Sequence, residues 1–118
     1  MVDVAGKRVF ISGPMTSVGH LNVPAFVDAH LALLDAGAAA VYDPAAAWLM
    51  ETRLEEGARL DGHEDCMLAC VHELTDGLSR YDLLVRLPGW EDSPGARLES
   101  LVADQCGIPT ADLVEVKP

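Results

Sequence analysis

Two hydrophobic periods take turns along this chain. Val9, Phe10 and Ile11 form a continuous apolar run within Arg8 to Ser12, which predicts a buried strand stopped by Gly13-Pro14. Asn22 and Pro24 then offer a helix start, and Phe26, Ala29, Leu33 and Leu34 recur at helical spacing until Gly37 ends the run. Ala39 to Tyr42 predicts a second short strand, closed by Asp43-Pro44. Ala45 to Arg59 is helix-prone without a clean pattern, whereas Glu64 to Ser79 carries Met67, Val71, Leu74 and Leu78 at helical spacing. Leu83 to Leu87 is a third apolar strand, and Leu87 to Glu99 runs from it through a glycine-rich turn into another helix. Ile108-Pro109 and Val114 to Val116 offer a last strand, with Pro109 suited only to a strand start or an edge.

Strands alternating with helices predict an α/β fold: an open, mostly parallel, flavodoxin- or Rossmann-like sheet of four or five strands with helices on both faces. Ligands in such sheets sit at the carboxyl ends of the strands. Gly13-Pro14 and the Gly89 to Gly95 loop both fall there. A chain of 118 residues supports one core, so residues 1–118 are expected to form one domain without an internal linker. No apolar run approaches the roughly 20 residues that span a bilayer, and no signal-like block opens the chain, which points to a soluble, cytoplasmic protein without membrane contact. Cys66, Cys70 and Cys106 cannot all pair, so they are expected to be reduced core thiols. With 8 basic against 19 acidic residues the net charge is -11, which disfavours long nucleic acid. A single phosphate is still allowed, because backbone N–H groups at a helix N-terminus hold one regardless of global charge.

The most informative residue is Glu99. On a helical wheel from Ala96 to Cys106, Arg97, Ser100 and Asp104 share one side, while Glu99 falls with Val102, Ala103 and Cys106. A carboxylate on an apolar face is costly unless it is paired or lines a pocket. His63, Cys66 and Cys70 would share a face of one continuous helix, but they lack the C-x-x-C pairing of common metal sites, and packed thiols explain them better. Neither a metal nor another cofactor is expected.

Three motifs occur in order: Ile11-Ser12-Gly13-Pro14-Met15-Thr16, then Asn22-Val23-Pro24-Ala25-Phe26, then Leu87-Pro88-Gly89-Trp90 with Ser93-Pro94-Gly95-Ala96-Arg97-Leu98-Glu99. Together they resemble the nucleoside 2-deoxyribosyltransferase superfamily, most closely a small branch of bacterial and phage proteins of the DUF4406 type, over nearly the whole chain. The resemblance implies cleavage of an N-glycosidic bond by a glutamate nucleophile, and Glu99 matches that glutamate. Ser93 and Gly95 match positions that approach the sugar 5' end, although Ser93 equally suits a helix cap with Pro94 behind it. Gly13 and Pro14 match the loop over the sugar and base, with Met15 packing on the base. Gly89 and Trp90 belong to the same signature. Asp43 and Trp48 follow the second strand, where relatives hold the base, while a tryptophan also serves as core or interface.

Relatives carry an acid for the leaving group in the helix before the third strand, and this chain departs there. Glu73 is the best substitute, with Asp76 a turn further and His72 adjacent; all three equally suit a solvated helix face. Asp82 matches a residue at the strand start and reads as structural or site-supporting. Arg86 and Arg97 suit either a phosphate or surface ion pairs. The expected function is cleavage of the N-glycosidic bond of a small nucleoside, deoxynucleoside or 5'-monophosphate through a glutamyl-glycosyl intermediate, by hydrolysis or base exchange. The alternative is a non-catalytic module that binds or sequesters a nucleotide. Size, apolar fraction and the habit of relatives further predict a homodimer or larger homo-oligomer.

Overall fold

The structure, a computed structural model, describes residues 1–15, 22–45 and 81–118. Among the described residues four strands form one sheet: β1 (Arg8–Ser12), β2 (Ala40–Tyr42), β3 (Leu83–Arg86) and β4 (Thr110–Asp112). All pairs are parallel and the order is β2-β1-β3-β4. Parallel strands covered on both faces need side chains that are apolar on both sides, which is why Val9-Phe10-Ile11 and Leu83-Leu84-Val85 are unbroken apolar runs and wholly buried.

Two helices are described, α1 (Val23–Asp35) and α2 (Pro94–Gln105). α1 packs on β1 and β2, whereas α2 packs on β3, β1 and β4. The chain leaves β1 toward one sheet edge and β3 toward the other, so right-handed crossovers set the two helices on opposite faces. Between the carboxyl ends of β1 and β3 lies the crevice where open α/β sheets receive ligands. The expected open, parallel, Rossmann-like sheet is therefore the observed one. No described helix is long and apolar enough to cross a membrane.

The apolar face of α1 is Phe26, Ala29 and Leu33, as the spacing predicts, but Leu34 points outward and is exposed. At the other sheet edge the last strand is Thr110–Asp112 rather than Ile108-Pro109 or Val114 to Val116. Only Ala111 of that strand turns fully into the core, so the segment is too short and too polar to show as a strand by hydrophobicity. Val114 instead lies in a 3-10 turn, Leu113–Glu115, started by a capping box between Asp112 and Glu115. Val116 makes only an isolated bridge with Val2.

α2 also departs from its wheel in two places. Its buried residues are Ala96, Glu99, Ser100 and Ala103, so Ser100 belongs inside rather than with Arg97 and Asp104. Cys106 is not a core thiol: it caps the helix C-terminus, exposed, while Ile108 folds back to fill the core. Cys66 and Cys70 lie outside the described residues.

Candidate functional site

Ser12 is the last residue of β1 and shares a sheet face with Phe10, two residues earlier. That face meets α2. There the fully buried Ser12 hydroxyl donates to Glu99 Oε1 at 2.8 Å, and Glu99 itself is only 5% exposed. A hydroxyl donating to one carboxylate oxygen restrains the orientation of the group. The carboxylate singled out by the wheel thus sits against the end of β1, at the ligand-receiving edge of the sheet.

The loop after β1 is held at four points. Leu87 N–H donates to the Ser12 carbonyl at 2.8 Å. A Cβ on Gly13 would lie 2.7 Å from Leu87 Cβ, so only glycine allows this approach of loop to strand end. The Pro14 carbonyl accepts from Asn22 Nδ2 at 2.9 Å, and the Pro14 ring lies next to Gly89, whose left-handed φ of 87° turns the second loop. Asn22 was expected only to start α1. It does so with a left-handed φ of 56° and no side-chain cap, because its amide reaches back across the loop instead. Met15, after this pinned segment, is buried.

From β3 the chain passes through Gly89 and a 3-10 turn, Trp90–Asp92, to Ser93. Ser93 is the N-cap of α2, accepting from Ala96 N–H at 3.3 Å, with Pro94 as the first helical residue and Gly95 half-buried in that turn. The predicted cap is present, and such a cap contributes about 1 kcal/mol.

Arg86 is committed internally. Its Nε donates to Asp112 Oδ1 at 2.9 Å and its Nη1 to Ser100 Oγ at 3.2 Å, while the guanidinium lies 4.4 Å from the centroid of the Trp90 ring. This cluster joins β3, β4, α2 and the 3-10 turn, so Arg86 is a brace rather than a free phosphate ligand, and Trp90 carries its guanidinium. Arg97 is exposed on the outer side of α2.

At the far edge, Asp43 is buried beyond β2, accepting from Ala45 N–H at 3.1 Å and lying 3.2 Å from His30 Nδ1 on α1. Asp82 supports the sheet from below. It accepts the Arg8 N–H at 2.9 Å, and that backbone hydrogen bond, with the Arg8 charge, holds its carboxyl below the ordinary value.

The structure therefore gathers Gly13, Pro14, Met15, Gly89, Ser93, Gly95 and Glu99 around the carboxyl ends of β1 and β3, with Trp90 alongside and Asp43 on the neighbouring strand. Trp48, Glu73 and Asp76, with His63 and His72, lie outside the described residues. Sequence reasoning missed Ser12, Asn22 and His30. Ser12 had a legible signal, since a polar residue closing an apolar strand on the same face as Phe10 must meet a partner. Among the described residues no group of His, Cys, Asp and Glu is placed to hold a metal ion.

No curated protein and no solved structure gives a significant match to the chain. Residues 7–112, from the start of β1 to the end of β4, match a family described as a domain of unknown function, DUF4406. Because that match spans every described strand and both helices, the chain belongs to the DUF4406 family.

Proposed function

We propose that this protein cleaves the N-glycosidic bond of a small nucleoside, deoxynucleoside or nucleoside 5'-monophosphate in the cytoplasm, with Glu99 as nucleophile. One observation carries the reading: a carboxylate 5% exposed, oriented by Ser12, at the sheet edge where the pinned Gly13 and Gly89 loops meet the N-terminus of α2. The motif resemblance to nucleoside 2-deoxyribosyltransferases supports it. In this chemistry the glycosidic bond loosens, positive charge grows on the sugar, and the carboxylate bonds to the anomeric carbon as the base departs with a proton. Water or a second base then breaks the glycosyl ester and restores Glu99. Glu73 or Asp76 would protonate the leaving base, and the capped start of α2 at Ser93 and Gly95 would hold the sugar 5' end.

A second reading is a nucleotide-binding module that does no chemistry. Such a module keeps the Gly13 and Ser93 to Gly95 loops and needs no leaving-group acid, and the departure of this sequence from its relatives around Glu73 favours it. Incubation with a panel of deoxynucleosides and their monophosphates, followed by chromatography for free base, separates the two. Release by wild type and its loss in Glu99→Gln supports cleavage; unaltered substrates with saturable binding support the module.

The reading includes self-association. Val27, Leu31 and Leu34 expose 40%, 61% and 45% of their surfaces along one side of α1, an apolar stripe on a chain of net charge -11. A second copy covering it would bring a neighbouring subunit to the α1 side of the crevice.

A further inference from the structure

His30 and Asp43 form a pair that the Glu99 reaction leaves unused. The Asp43 side chain is only 2% exposed; Oδ1 accepts from Ala45 N–H at 3.1 Å, and Oδ2 lies 3.2 Å from His30 Nδ1. A carboxylate has no proton to give, so Nδ1–H donates and the neutral ring carries its lone pair on Nε2. That nitrogen engages no other described residue, and the imidazole is 31% exposed. A carboxylate that fixes one ring nitrogen and leaves the other basic equips a histidine to act as a general base.

We propose that His30, positioned by Asp43, takes the proton from water in the second half of the Glu99 reaction, which makes the protein a hydrolase rather than a base-exchange enzyme. The inference rests on that reaction. Its ground is the way the two groups divide between the faces of the sheet. Tyr42 stacks on Phe10 with ring centroids 5.0 Å apart, so both lie on the face that carries Ser12 and meets α2. Asp43, the next residue, turns to the opposite face, where α1 brings His30 to it. Glu99 therefore approaches the carboxyl ends of the strands from the α2 face, and the imidazole from the α1 face. A two-step displacement needs that opposition, because the carboxylate bonds one side of the anomeric carbon and water arrives at the other. In the second step the water oxygen bonds to the anomeric carbon, its proton passes to His30 Nε2, and the glycosyl ester breaks with its electron pair returning to Glu99. Asp43 stabilises the imidazolium so formed, and the exposed part of the ring returns the proton to solvent. Activated water then consumes the ester before a second base can.

The test is how the sugar is partitioned. In His30→Asn the side-chain amide nitrogen takes the place of Nδ1 beside Asp43, while the basic nitrogen is gone; His30→Gln serves if that variant folds poorly. Wild type and variant are incubated with the common nucleosides, 2'-deoxynucleosides and their 5'-monophosphates, with and without excess adenine and cytosine as acceptors. Chromatography measures free base, free sugar and exchanged nucleoside, and intact-protein mass spectrometry detects sugar esterified to the chain. Wild type should release sugar and base in equal amounts, with little exchange. The variant should hydrolyse at least about 100-fold more slowly, accumulate the esterified protein, and raise the ratio of exchange to hydrolysis at least about tenfold. A merely structural role for His30 would lower both products together and leave that ratio where it was. An unchanged ratio overturns the proposal, as does a wild type whose main product is exchanged nucleoside. Release of base by wild type but not by Glu99→Gln, with an unchanged ratio in His30→Asn, overturns this inference alone; a wild type that releases no base overturns the Glu99 reaction and this inference together.

Discussion

Replacing Ser12 by alanine removes one oxygen from a site with no solvent, and the Glu99 carboxylate loses the donor that lies 2.8 Å from Oε1. A hydrogen bond to a charged group contributes about 1.5–3 kcal/mol net, and Ala fits where Ser stood without a clash. The expected loss is about 2 kcal/mol. For a domain near 100 residues, each kcal/mol lowers Tm by very roughly 4 °C, so a drop of about 8 °C should be seen by calorimetry. The cost belongs to the pair, which a double-mutant cycle isolates. In a Glu99→Met background, similar in volume and uncharged, Ser12→Ala should cost almost nothing, because the hydroxyl then has no carboxylate to serve. A coupling energy of about 1.5–3 kcal/mol is expected from urea denaturation of the four proteins. Additive effects, with coupling under about 0.5 kcal/mol, would refute the claim that Ser12 positions the carboxylate.

Gly13→Ala should destabilise by about 1–3 kcal/mol in the same assay, since the new Cβ meets Leu87 Cβ at 2.7 Å and the strand end must shift; a cost below about 0.5 kcal/mol removes the steric argument. Asp82→Asn keeps an acceptor for the Arg8 N–H but removes the charge. Because the folded carboxyl is held below 3.8, its contribution is fully present above that pH and is lost as pH falls through the lower folded value. The urea midpoint of Asp82→Asn should therefore lie below wild type at neutral pH and converge with it in acid; a constant gap argues against linkage. Leu31→Glu places a charge in the centre of the exposed α1 stripe and should shift the sedimentation of a homo-oligomer toward monomer, while a wild-type monomer would end the self-association reading.

Much of the frame was legible in the chain. The ends of β1 came out as observed because a parallel strand is apolar on both faces and Gly13-Pro14 halts it abruptly. Ser93 and Pro94 marked the start of α2, and the wheel isolated Glu99 as a carboxylate facing inward. These are local facts, dictated by periodicity, capping chemistry and the cost of burying charge. β4 was misplaced because Thr110–Asp112 carries one fully inward residue, so its strand character comes from pairing with β3 and not from hydropathy. Cys106 was placed inside because a wheel cannot know where a helix stops packing.

What the linear order determined, then, is which segments become strands and helices, and that one acid must be reconciled with an apolar face. Only the folded sheet decided the reconciliation. Ser12 and Glu99 are 87 residues apart and meet because β1 and β3 are neighbours, which lays α2 across the end of β1. Likewise the sequence leaves Arg86 open to a phosphate or an ion pair, and the pairing of β4 with β3 decides it by setting Asp112 beside the guanidinium. Pairing between distant segments depends on closing the sheet, and a contact made by that closure leaves no periodic trace in either partner.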